Sequence, residues 1–186
     1  SIDLDANGVG FLLKVYKSEK DTKGVLLADM GYGITQLFSI LLQIETSIMR
    51  GLPKKFRNYK PGAIIYGDFD KSLSPTTIAI EEPEIHFHPK FQALLAEMFY
   101  EAYTEYNIQF IIETHSEYMI RKSQSIVASL HYSSQDELDT NNPFAVYYFC
   151  GDGTTYNMGY RTDGKFSKDF GKGFYDVNAD LIFDIM

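Results

Sequence analysis

The string Thr77-Ile78-Ala79-Ile80-Glu81-Glu82-Pro83-Glu84 runs from a short β-branched segment straight into adjacent carboxylates. Neighbouring acids repel, and at the end of a buried strand a cation offsets that cost. In nucleotide hydrolases the first acid of such a pair holds the shell of a Mg²⁺ ion and the second polarises the attacking water. Base assistance of this kind contributes roughly 10² to 10⁴ in rate. The same residues also describe a strand that ends in solvent with acids on its turn. A second string, Ile111-Ile112-Glu113-Thr114-His115-Ser116, is another apolar strand ending in polar groups, at the spacing of the next parallel strand. An imidazole there suits contact with a γ-phosphate or placement of a water, because it donates or accepts near neutral pH; an isolated His is more often structural. In a third string, Asp29-Met30-Gly31-Tyr32-Gly33-Ile34-Thr35-Gln36, two glycines and a hydroxyl open a long helix. Open N–H groups at a helix start bind anions, although glycines there serve tight packing at least as often.

Stepping outward from these strings, residues 9–16 and 25–28 are apolar and β-compatible around a polar turn at 17–24, which predicts a β-hairpin with a long loop. Ile34, Leu37, Phe38, Leu41, Leu42, Ile44, Ile48 and Met49 recur at helical spacing and predict a mostly buried helix ending near Gly51. Residues 77–80 and 108–112 read as strands buried in a parallel sheet. Between them Phe91, Leu94, Leu95, Met98, Phe99, Ala102 and Tyr103 mark one face of an amphipathic helix after Pro89, and residues 116–130 read as a further helix. This alternation predicts an α/β sheet whose working loops lie at the strand C-termini. From Ala145 the texture changes. Residues 145–150 and 155–160 flank Gly151-Asp152-Gly153, a hairpin signal, and Leu181-Ile182-Phe183 ends the chain in what reads as a terminal helix. The expected organisation is thus a head over residues 1–144 and a small β-rich module over 145–186.

Bulk properties narrow the function classes. A net charge of -8 and a pI near 4.9 argue against binding nucleic acid over the whole surface. A local basic segment, Arg50, Lys54, Lys55, Arg57 and Lys60 with Phe56 and Tyr59, reads either as a solvated loop or as a DNA contact. The single cysteine, Cys150, excludes an internal disulfide and a cysteine-based zinc site and fits a reducing compartment. No apolar run approaches the roughly 18 residues that span a bilayer, and no signal segment opens the chain, so the expectation is a cytoplasmic protein without membrane contact. Fourteen Tyr and 14 Phe with no Trp suggest sheet-rich packing. The chain opens inside what reads as a strand, as a fragment would.

In this order the three strings resemble the C-terminal half of ABC-type ATPase heads, in particular predicted ATPases related to the overcoming-lysogenization-defect nucleases and, more distantly, to structural-maintenance-of-chromosomes proteins. The run Ile80-Glu81-Glu82-Pro83-Glu84-Ile85-His86-Phe87-His88-Pro89 looks like their Walker B and D-loop segment, Thr114-His115-Ser116 like the H-loop, and Gly33-Ile34-Thr35-Gln36 stands in the place of the signature motif. The tail, from Tyr147-Tyr148-Phe149 through Asp163-Gly164 to Gly173-Phe174-Tyr175-Asp176, is similar to an uncharacterised C-terminal module on many such ATPases.

The resemblance implies ATP and Mg²⁺ as cofactors. Glu81 would sit in the Mg²⁺ shell through water, Glu82 would be the water-activating base, and His115 would sense the γ-phosphate. Gly31, Gly33, Thr35 and Gln36 would complete a site held by the opposite subunit of an ATP-sandwiched homodimer. The sequence departs from the pattern in three ways: Glu81 stands where Asp is usual, the signature lacks the Ser-Gly-Gly order, and no Gly-x-x-x-x-Gly-Lys-Ser/Thr string occurs. The expected fold is therefore an incomplete P-loop NTPase domain whose Walker A segment is supplied from elsewhere in the same protein, with an effector nuclease or DNA as a further partner. Two rival readings use the same residues. One is a metal-dependent hydrolase built on His86, His88, Glu82, Glu84 and His115, since His-x-His on a turn chelates zinc or manganese. The other is a degenerate head used for dimerisation or partner binding.

Overall fold

The computed structural model of the protein describes residues 2–4, 11–16, 18, 23–51, 74–171 and 174–175. Apolar segments at the N-terminus pair as an antiparallel sheet in the order β1 (Ile2–Leu4), β2 (Phe11–Val15), β3 (Val25–Leu26). The β2–β3 pair is the expected hairpin. Its second strand is shorter than the apolar run suggests, because Leu27–Asp29 wind into a 3-10 turn that buries Leu27. Gly31, at φ +84, redirects the backbone into helix α1 (Tyr32–Gly51).

The apolar content of α1 predicts a mostly buried helix, but the structure buries it along one stripe only. Ile40, Ile44, Ser47, Ile48 and Gly51 form its buried stripe, while Ile34, Leu41 and Leu42 are exposed. With 3.6 residues per turn only one stripe faces a neighbour, and leucines on the flank stay outside whatever their hydropathy. Helix α1 lies against β4 (Thr76–Glu81) and β5 (Ile108–Glu113). These two strands are parallel and in register from Thr76↔Ile108 to Glu81↔Glu113.

The expectation that both strands are buried holds on one face only. Ile78 and Ile108 are buried, while Thr77, Ala79, Glu81, Gln109, Ile111 and Glu113 alternate outward and are exposed. Between the strands runs α2 (Pro89–Tyr106), which buries Leu95, Ala96, Phe99 and Ala102 but leaves Phe91, Leu94 and Tyr103 exposed, so its buried stripe is narrower than its apolar face. Asn107 closes it at φ +55, a left-handed cap that asparagine adopts at low cost.

After β5 come α3 (Glu117–Ser129) and α4 (Gln135–Asn141), then the hairpin β6 (Tyr147–Phe149) and β7 (Thr155–Asn157). Gly153 at φ +85 and the Asp152 carboxylate, which accepts the Thr154 N–H at 2.8 Å, shape the Gly151-Asp152-Gly153 turn. Helix α4 has no counterpart in the sequence reading. The terminal helix predicted around Leu181-Ile182-Phe183 and the basic segment at 54–60 lie outside the described residues.

The chain divides into two compact units, Ser1–Phe87 with Tyr103–Glu113, and His88–Ala102 with Thr114–Met186. The second unit has a closed core of Val127, Leu138 and Tyr160, against which Tyr132, Phe144, Val146 and Phe166 pack. The Tyr160 hydroxyl and Ser123 Oγ share a hydrogen bond at 2.7 Å, and Gln135 Nε2 donates to the Tyr160 carbonyl at 2.8 Å. Gly164, at φ +78, lets its turn approach α3 closely: a Cβ there would stand 2.3 Å from the Gln124 carbonyl. Much of the aromatic content is here, in ring contacts linking Tyr148, Phe170, Phe174 and Tyr175. No helix among the described residues is long and apolar enough to cross a membrane.

Candidate functional site

Strand β4 keeps its alternation through Glu81 and stops because Glu82 leaves the extended region, with φ +43; the chain then turns through Pro83 to His86, itself at φ +66. Left-handed backbone at a residue with a side chain costs roughly 1–2 kcal/mol and persists where its surroundings hold it. Both peptide groups of Glu82 are held. Its N–H donates to the Glu113 carbonyl at 2.8 Å, adding one rung to the parallel ladder. Its carbonyl accepts from the Ile85 N–H and from Gln36 Nε2, each at 3.2 Å. The same amide nitrogen of Gln36 donates to the Pro83 carbonyl, also at 3.2 Å. The two acids therefore differ in setting: Glu81 is an exposed strand end, whereas Glu82 is half-buried at the entrance to a clamped turn.

The start of α1 meets this turn directly. A Cβ on Gly33 would lie 3.0 Å from the His86 carbonyl and 3.6 Å from the Phe87 ring, so glycine permits the approach. The Tyr32 and His86 rings lie 5.4 Å apart. Gly31 stands in open space, with no heavy atom within 4 Å of where its Cβ would be. Thr35 turns its hydroxyl back on its own backbone, donating to the Gly31 and Leu27 carbonyls at 3.4 Å. Of the residues predicted at this helix start, Gly33 and Gln36 are thus brought to the acid turn.

At the end of β5, Glu113 is the register partner of Glu81 and, like it, exposed. Like charges matched across a ladder repel, so the strand ends concentrate negative charge beyond the predicted pair. The sequence reading gave Glu113 no role. The parallel register, a tertiary fact, is what matches it to Glu81.

In the second unit His115 is exposed and precedes Ser116, the N-cap of α3. Ser116 Oγ accepts from the Met119 N–H at 3.1 Å and donates to Gln92 Oε1 at 2.6 Å, while the Ser116 N–H donates to Thr114 Oγ1 at 3.0 Å. His115 is thereby carried on a capped turn.

The residues of the rival metal site are not gathered into one. Among the described residues no group of three or more His, Cys, Asp or Glu is placed to hold a metal ion. His88 Nδ1 accepts the Lys90 N–H at 3.3 Å at the start of α2, His86 lies beside Tyr32, and Glu84 is buried.

The family model of the AAA ATPase domain matches residues 4–120. The chain belongs to this family. No curated protein and no solved structure matches it. Proteins with an AAA ATPase domain generally bind ATP with Mg²⁺, and the mixed α/β fold, with its parallel pair, is consistent with a P-loop type. Every residue assigned to chemistry, from Gly31 to His115, falls inside the matched span, whereas β6 and β7 fall outside it. For these cofactors the described residues offer single donors rather than a gathered set. Mg²⁺ prefers oxygen ligands and keeps several waters, which suits the exposed carboxylate of Glu81. The open backbone at Gly31, leading into a helix start, suits the approach of a phosphate.

Proposed function

We propose that this chain is part of an ATP-binding and ATP-hydrolysing head of the ABC type. One observation carries the reading: adjacent carboxylates leave the C-terminal end of a parallel strand, the second of them fixed in a left-handed turn. Mg²⁺, when bound, neutralises charge on the phosphates and on the strand-end acids. Glu81 would stand in its outer shell, its carboxylate accepting hydrogen bonds from the water the ion carries. Glu82 takes the proton of the attacking water, for which a base held by its own backbone needs little rearrangement. His115 contacts the γ-phosphate. Gly31, Gly33 and Thr35 complete a nucleotide site on a second copy of the head, so that hydrolysis is linked to opening of a homodimer.

Backbone gripping of the β-phosphate comes from a Walker A segment outside these residues. The resemblance to ATPases coupled to nucleases supports a role in DNA maintenance or phage defence in the cytoplasm, with a nuclease or DNA as the further partner.

Magnesium-dependent ATP hydrolysis, measured on residues 1–186 alone and on the full-length protein, tests this division of labour. The expected result is negligible turnover by residues 1–186 and clear turnover by the full-length protein, in which His115→Ala lowers turnover more than ATP binding. Substantial turnover by residues 1–186 alone would contradict it.

A further inference from the structure

The family resemblance puts Gln36 on a nucleotide held by an opposing copy, yet its amide nitrogen is engaged inside its own subunit. Nε2 donates to two successive carbonyls, those of Glu82 and Pro83, at 3.2 Å each, across 46 and 47 residues of sequence. A carboxamide nitrogen has two N–H groups, and two carbonyls one residue apart receive them. The bridged peptides include the one that follows Glu82, whose φ of +43 is sustained against its intrinsic cost. The Glu113 and Ile85 contacts hold the same residue from other sides, and Gln36 ties it to α1. Gly33, one turn earlier, places α1 close enough for that reach, since its missing Cβ leaves the His86 carbonyl room at 3.0 Å.

We propose that Gln36 is a positioning residue for Glu82: its carboxamide, bridging the Glu82 and Pro83 carbonyls, holds the base in its left-handed turn and joins the glycine-led start of α1 to the acid turn. The inference rests on the ATPase reading above. It differs from that reading in sending the effect of Gln36 through Glu82 rather than onto a nucleotide.

A double-mutant cycle on the full-length protein tests it, with kcat and KM for magnesium-dependent ATP hydrolysis as readouts. Gln36→Glu keeps the shape and replaces the donors with acceptors; Gln36→Met keeps the length without charge and serves if the first variant folds poorly by circular dichroism. Either substitution is expected to lower kcat by about 10- to 100-fold, the scale of a misplaced catalytic group, with KM within about 2-fold. In a Glu82→Gln background the same change should cost less than about 2-fold, because the group it positions is already gone. An unchanged kcat, a raised KM at constant kcat, or an equal loss in both backgrounds would overturn the positioning role. Wild-type turnover in Glu82→Gln alone would instead overturn the base assignment on which it rests, so the two failures have different signatures.

Discussion

Val127, Leu138 and Met158 in the second unit are sealed to 1% exposure or less, whereas the acid-bearing strands of the first unit leave Ile111 60% exposed and a whole face of alternate residues open. One region is set by apolar packing, with Tyr160 and its hydrogen bonds threaded through it. The other is set by polar clamps on a strained turn: Gln36, Glu113 and Ile85 around Glu82. The difference shows how the labour is divided. A closed core supplies stability, and the strand-end acids sit where burial is incomplete and backbone hydrogen bonds do the positioning.

Leu138→Ala removes a side chain that is 1% exposed and should cost about 2–5 kcal/mol. The loss should read as hydrogen-exchange protection falling in α3 and α4, with α1 and β4 keeping theirs; an equal fall in all four would erase the distinction.

The core of the second unit also responds to pH. Burial pushes the Tyr160 hydroxyl from its ordinary 10.0 up to about 12, while its hydrogen bond with Ser123 pulls the other way. The folded state therefore holds this proton more tightly than the unfolded chain. The contribution is fully present below pH 10 and is lost as pH rises from 10 towards 12, by about 1.4 kcal/mol per pH unit. Urea unfolding followed on α3 between pH 9 and 11.5 should show the decline, and Tyr160→Phe should flatten it at the expense of about 1 kcal/mol for the lost hydrogen bond. A variant that keeps the full slope would show that another group is responsible.

The sequence revealed most where hydrophobic period and terminal chemistry coincide. The β-branched run into Glu81 and Glu82, the strand into Glu113, and the helices opened by Gly31, Pro89 and Ser116 all stand where their patterns put them. Helix α4 escaped because its seven residues bury only Leu138, too few for a period. Its signal was the cap: Ser134 accepts the Glu137 N–H, and Glu137 accepts the Ser133 N–H, the Ser-x-x-Glu spacing of a capping box. Burial was legible only to the level of a face, because which flank of α1 or β5 meets a neighbour is a tertiary fact. The Gln36 clamp was least legible of all. An amide reaching two carbonyls 46 and 47 residues away leaves no local trace, and the pairing of Glu113 with Glu81 needed the register of two strands.

The most direct measurement is the rate of magnesium-dependent ATP hydrolysis, together with nucleotide retention, in full-length Glu82→Gln. The substitution keeps the backbone groups that Gln36, Glu113 and Ile85 engage and replaces the carboxylate with an uncharged amide of the same shape. The account predicts that ATP is still bound, that paired heads persist longer, and that turnover falls by roughly 10² or more. Turnover at the unmodified rate would contradict it.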